Sequence, residues 1–105
     1  MNRLLDLDDP PTAVFAMSDE MAFGALQAAR ERGLVVPDDL SLIGVDNHEL
    51  APVVGLTTID QSAGEHGVLA ARLLIDRLSD ASPEPVNLQA PIRLIERLST
   101  APPRC

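Results

Sequence analysis

The 105-residue sequence has no lysine, tryptophan or tyrosine, two phenylalanines and one cysteine. Without lysine, positive charge falls to arginines scattered at Arg3, Arg30, Arg32, Arg72, Arg77, Arg93, Arg97 and Arg104, against a net charge of -8. Clustered cations that release counterions are what hold a phosphate backbone, so this segment does not itself hold DNA. One thiol, Cys105, cannot make an internal disulfide and reads as an incidental tail residue. Apolar runs are far shorter than the roughly 20 residues of a membrane helix. The opening residues lack the apolar stretch of a secretory signal. The expectation is a cytoplasmic protein with no membrane partner. With Phe15 and Phe23 its aromatics, the core must be built from Ala, Leu and Val in close backbone packing.

What is present is ordinary for a folded chain: 46% apolar and 23% charged residues, well away from the polar profile of disorder. Residues 12–17 are short, apolar and partly branched or aromatic, which predicts a buried strand. Ser18 and Asp19 then offer a helix N-cap with early acidic charge, and a helix is predicted over 19–32. Gly33 ends it and Pro37 prevents its resumption. A second strand is predicted over 40–45, closed by Asp46 and Asn47. Residues 49–55 suit a helical turn, and 56–59 a third strand.

Ser62 and Glu65 match a capping box, followed by an apolar helical stripe of Val68, Ala71, Leu74, Ile75 and Leu78. Arg72 and Asp76 can pair outside it. Residues 79–85 read as a loop, and 86–98 as extended chain with an edge or bend at Pro91. Strands alternating with helices indicate an α/β fold with a mainly parallel sheet.

In open α/β sheets, ligands bind beyond the carboxyl ends of the strands. Three polar clusters are predicted there: Ser18 with Asp19, Asp46 with Asn47, and Gln61 with Ser62. Carboxylates, amides and a hydroxyl together suit a neutral ligand with many hydroxyl groups. Capping accounts for Asp19 and Ser62 and is the favoured reading of both, while Asn47 can serve either a ligand or a turn. Asp46 begins no clear helix and Gln61 has no capping duty, so these two are the leading ligand contacts.

His48 and His66 lack metal-ligand spacing, and His48 reads as a loop residue. No phosphate loop, zinc motif or nucleophile elbow is present, so no enzyme activity, metal or cofactor is expected. On the first helix, Met21, Ala22, Ala25, Ala28 and Ala29 make a packing face. Phe23 and Leu26 form a second stripe, facing either another layer of the chain or a second subunit.

The phrases PTAVFAMSDEMAFGAL, PDDLSLIGVDN and LTTIDQ, at their spacing over residues 10–99, resemble the lactose/galactose repressor (LacI/GalR) family. The resemblance implies part of a periplasmic binding protein type I-like effector domain, with two α/β lobes and the effector in the cleft between them. Residues 1–11 are then an acidic lead-in, 12–99 a partial effector-binding domain and 100–105 a flexible tail. The first three strands fall in one lobe, the helix after Ser62 in the other, and the chain crosses back near residues 88–97. Asp46 matches the family's ligand-binding Asp and Gln61 its crossover Gln. Ser18 departs from an effector-touching Asn, which implies a different effector or a contact through water.

By the same resemblance Phe23, Leu26, Gln27 and Arg30 lie on a dimer helix, with Val53 and Val54 beside it. The implied partners are a sugar or related polyol, a second copy of the chain, and DNA through a helix-turn-helix outside these residues. Two alternatives stay open at this point: a fragment of a periplasmic sugar-binding protein of a transporter, and a truncated product without independent activity.

Overall fold

The computed structural model describes residues 1–79 and 84–103. Its seven elements are, in chain order, α1 (Asn2–Leu5), β1 (Ala13–Phe15), α2 (Asp19–Glu31), β2 (Ser41–Val45), β3 (Thr57–Asp60), α3 (Ala63–Leu78) and β4 (Arg93–Ile95). The sheet order is β1-β2-β3-β4. The first three strands are parallel, with Val14 beside Leu42 and Gly44 beside Thr58, while β4 runs antiparallel to β3 with Ile59 beside Leu94.

Helix α2 shows how the local sequence produces the element. The Ser18 backbone is extended, and its Oγ accepts from the Met21 amide at 3.2 Å, which satisfies one of the helix's orphan donors. At the other end Gly33 takes φ 72°. The Gly33 amide donates to the Arg30 carbonyl and the Leu34 amide to the Ala29 carbonyl, the paired closure that a left-handed residue allows.

The buried face of α2 is Asp19, Ala22, Ala25, Ala28 and Ala29. Its small side chains let the helix lie close on Leu42 of β2, and Ala16, Ala51 and Leu56 complete the core. Met21, assigned to that face from the sequence, is instead 60% exposed. The alanine stripe centres the contact on its own narrow surface and leaves Met21 outside.

Two further expectations are corrected. Ser62 does not cap α3: it sits in the left-handed region at φ 51° and its side chain makes no capping bond, since a cap needs extended backbone. The Asp60 carboxylate instead accepts from the Ser62 amide at 2.8 Å, turning the chain sharply off β3. Among the described residues the ion pairs are Arg32 with Asp6 and Arg93 with Asp60, so Arg72 and Asp76 remain apart.

The ends of the chain are more tightly held than a lead-in and tail suggest. Arg32 donates to Asn2 and Asp6, and Met1 packs against the core. The Ser99 hydroxyl donates to the Leu42 carbonyl at 2.6 Å and accepts from the Thr57 amide at 2.8 Å. Thr100 and Thr57 share a hydroxyl hydrogen bond, and the Ala101 amide donates to Ser41 Oγ. Thr100 and Ala101 therefore stitch the amino ends of β2 and β3 together rather than starting a free tail. Cys105 and most of the 79–85 loop lie outside the described residues.

One face of the sheet carries α2, while on the other Phe15 and Leu94 are exposed, although parallel sheets are ordinarily covered on both sides. No residue of α3 is buried. Its predicted stripe stands in solvent, with Val68, Leu74, Ile75 and Leu78 all exposed. The radius of gyration is accordingly 18.6 Å, against about 13 Å for a compact domain of this length.

Candidate effector site and dimer face

The loops after β1, β2 and β3 meet beyond the strands' carboxyl ends. Asp46, at the end of β2, is exposed and takes φ 108°, a conformation that costs a non-glycine residue on the order of 1–3 kcal/mol. Gln61, beyond β3, donates from Nε2 to Asp46 Oδ1 at 2.8 Å. A carboxylate and an amide from different strands thus converge on the exposed surface beyond the strand ends, where the crevice of an open α/β sheet lies, with acceptor and donor capacity left over.

The other candidate residues divide into those that face the crevice and those that build it. Ser18 is half-buried and its hydroxyl caps α2. Asn47, at φ 50°, makes the turn in a left-handed conformation and its side chain is engaged on both sides. Its Oδ1 accepts from the Arg97 guanidinium at 2.9 Å and its Nδ2 donates to Asp60 Oδ2 at 3.5 Å. Asp19 is fully buried. Its Oδ1 accepts from Thr58 Oγ1 at 2.6 Å and its Oδ2 from the His48 amide at 2.8 Å, so this carboxylate points into the domain rather than into the crevice. The His48 ring lies edge-on to Phe23, centroids 5.4 Å apart, and its Nδ1 accepts from the Leu50 amide.

Four side chains that sequence reasoning passed over, Arg93, Arg97, Asp60 and Thr58, complete the wall. Arg93 of β4 pairs with Asp60 at 3.0 Å, and the Arg97 guanidinium also donates to the Leu56 carbonyl at 2.7 Å. The bond from the Ser62 amide above all, joined by the Arg93 guanidinium and the Asn47 amide, holds the Asp60 carboxyl below its ordinary range against the opposing desolvation, which outweighs any single contribution from those two. Thr58 is fully buried between Asp19 and the Asn47 amide. Apart from the Ser62 amide beside Asp60, their partners lie 11 to 50 positions away, so no local pattern marks these residues. Among the described residues no cluster of three or more His, Cys, Asp or Glu is placed to hold a metal ion, and no helix is long and apolar enough to cross a membrane.

A second feature lies on the outer side of α2. Phe23, Leu26, Gln27 and Arg30 line one wall of an open groove of about 840 Å³, and Val53 and Val54 help form the other. Leu98 also lines it, its Cβ 3.2 Å from where a side chain at Gly55 would begin. The residues marked from sequence for a subunit contact thus share one surface, where Val53 is 78% exposed.

An open, mostly parallel α/β sheet with polar groups gathered past its strand ends is the form of a small-molecule-binding domain. Residues 1–100 match the model of the periplasmic binding protein-like domain. The chain is 48% identical over 92 residues to the HTH-type transcriptional repressor PurR of Mannheimia succiniciproducens, covering 84% of this chain and 28% of that protein. It is 52% identical over 80 residues to the repressor CytR of Escherichia coli K12, covering 74% of this chain and 24% of the repressor. Among solved structures, a LacI family regulator from Enterococcus faecium with bound ribose superposes with a TM-score of 0.87 at 39% identity, over 98% of this chain and 39% of that one. The chain belongs to the periplasmic binding protein-like domain family, in the form of the effector-binding domain of LacI-type repressors. It spans about a quarter of the length of these curated relatives.

Proposed function

We propose that this chain is the effector-sensing and dimerisation segment of a sugar-responsive, LacI-type DNA-binding regulator, acting in the cytoplasm and without catalysis. The observation that carries this reading is the pairing of Asp46 and Gln61 across the crevice. A carboxylate there can accept from two neighbouring hydroxyls while the amide donates to a third oxygen, which suits a sugar or related polyol. Asp46, Gln61 and the Ser18 edge are the effector contacts; Asn47 and Asp19 shape the wall behind them. Relatives that are transcriptional repressors and a neighbour with bound ribose favour a regulator over a transporter component.

The outer groove on α2, with Phe23, Leu26, Gln27 and Arg30 on the helix and Val53 and Val54 beside it, serves a second copy of the chain. DNA contact falls to a helix-turn-helix outside these residues, consistent with the net charge of -8. Effector binding then acts by favouring one relative arrangement of the lobes, and so one presentation of the DNA-binding domains.

Calorimetric titration with a panel of pentoses, hexoses and disaccharides that includes ribose tests the reading. One sugar should bind, and Asp46→Ala should weaken it by roughly 100-fold, the loss of two hydrogen bonds to a charged acceptor at about 1.5 kcal/mol each. Wild-type affinity in Asp46→Ala would remove the site assignment.

A further inference from the structure

We propose that Asp19 and Thr58 are positioning residues that hold the turn presenting Asp46. Asp46 adopts φ 108° and Asn47 φ 50°, and conformations of this kind persist only where the surroundings over-determine them. Here three consecutive amides have fixed acceptors: Asp46 donates to the Ile59 carbonyl at 2.8 Å, Asn47 to Thr58 Oγ1 at 3.3 Å, and His48 to Asp19 Oδ2 at 2.8 Å. The Thr58 hydroxyl accepts from Asn47 and donates its own proton to Asp19 Oδ1 at 2.6 Å. One hydroxyl with one donor and two lone pairs satisfies both bonds at once.

Both side chains are fully buried. A buried carboxylate is a poor source of stability, because its desolvation offsets what its bonds return, and an apolar side chain of similar size packs as well. What an apolar side chain cannot supply is an acceptor for the His48 amide and for Thr58. Gly44 of β2 completes the arrangement: a Cβ there would overlap the Asp19 carboxylate. A strand position without a side chain, a buried acid and a buried hydroxyl thus serve one turn, and that turn carries the crevice carboxylate. The role of Asp46 toward an effector rests on the reading above, whereas the architecture of the turn does not.

The pair Thr58→Val and Thr58→Ser tests this, since valine keeps the shape without the hydroxyl and serine restores it. Amide hydrogen exchange of Asn47 and His48, and the amide to Cα proton coupling of Asp46, are read by nuclear magnetic resonance. In Thr58→Val exchange at Asn47 and His48 should quicken about tenfold or more and the Asp46 coupling should shift, with the core amides of Ala25 and Leu42 unchanged; Thr58→Ser should return all of them to wild-type values. Wild-type exchange in Thr58→Val, equal quickening at Ala25 and Leu42, or failure of serine to rescue would each overturn the proposal. Ribose titration of the same variants separates the two readings: a loosened turn with unchanged ribose affinity would leave the turn's architecture standing and remove Asp46 from the effector.

Discussion

Gly44→Ala is the most informative single change, because one added methyl reaches the helix, the strand and the turn together. The new Cβ would lie 3.2 Å from both the Cα and the Cγ of Asp19 and would overlap Oδ1. Rotating the carboxylate away relieves only part of this, since the Cα belongs to the first turn of α2. Overpacking of a tight core contact costs about 1–3 kcal/mol. Displacing Asp19 also weakens its bonds from Thr58 and the His48 amide, at about 1.5–3 kcal/mol for a hydrogen bond to a charged group.

Against these stands about 0.5–1 kcal/mol gained because alanine is easier to order than glycine. The net expectation is a destabilisation of about 3 kcal/mol, read as a fall in the urea midpoint by far-ultraviolet circular dichroism. Asp19→Ala in the same background should cost much less than the sum of the two single changes, because the clash disappears with the carboxylate. A Gly44→Ala protein within about 0.5 kcal/mol of wild type, well inside the range of ordinary surface changes, or strict additivity with Asp19→Ala, would refute this account of the β2–α2 contact.

The wall and the groove carry further consequences. The Asp60 carboxyl is lowered by the Ser62 amide, then by Arg93 and Asn47. A group whose folded pKa lies below its unfolded value stabilises the fold above the unfolded pKa and loses that contribution as pH falls through the folded one. Carbon-13 titration of Asp60 should therefore give a midpoint below the ordinary carboxylate value, and Arg93→Met should move it upward; an unmoved midpoint would show that the ion pair is not held in solution. Val53 is 78% exposed in the groove beside α2, so if that groove forms the proposed dimer contact, Val53→Asp should leave the circular dichroism spectrum unchanged while shifting sedimentation from dimer toward monomer. A dimer that persists would place the subunit contact elsewhere.

Most of the architecture was legible locally. The Ser18 cap, the alanine stripe and the Gly33 terminus specify α2 within a few residues of one another, and the short branched runs announce β1, β2 and β3. That Asp46 and Gln61 lie beyond the strands and meet there was readable as well, because strand ends are recognisable and the loops beyond them in an open sheet gather in one place. Misreadings arose where a local pattern met a long-range constraint. Ser62 and Glu65 spell a capping box, yet the chain must turn off β3 at Asp60, which puts Ser62 in the left-handed region where capping fails. Thr100 sits at the start of a polar, proline-containing end, yet Thr57 lies across from it.

The same division holds for the candidate site. Local spacing alone indicated two carboxylates, two amides and two hydroxyls at the mouths of parallel strands, along with a chain too acidic to hold DNA by itself. Which carboxylate stays exposed at the strand ends and which turns inward depends on Gly44, Thr58 and His48, which the sequence keeps apart and the sheet brings against Asp19. Hydrogen-bond partners 29 and 39 residues away leave no periodic trace in a sequence. Periodicity records the face an element buries, and the identity of the atoms it meets there arises only when the strands are laid side by side.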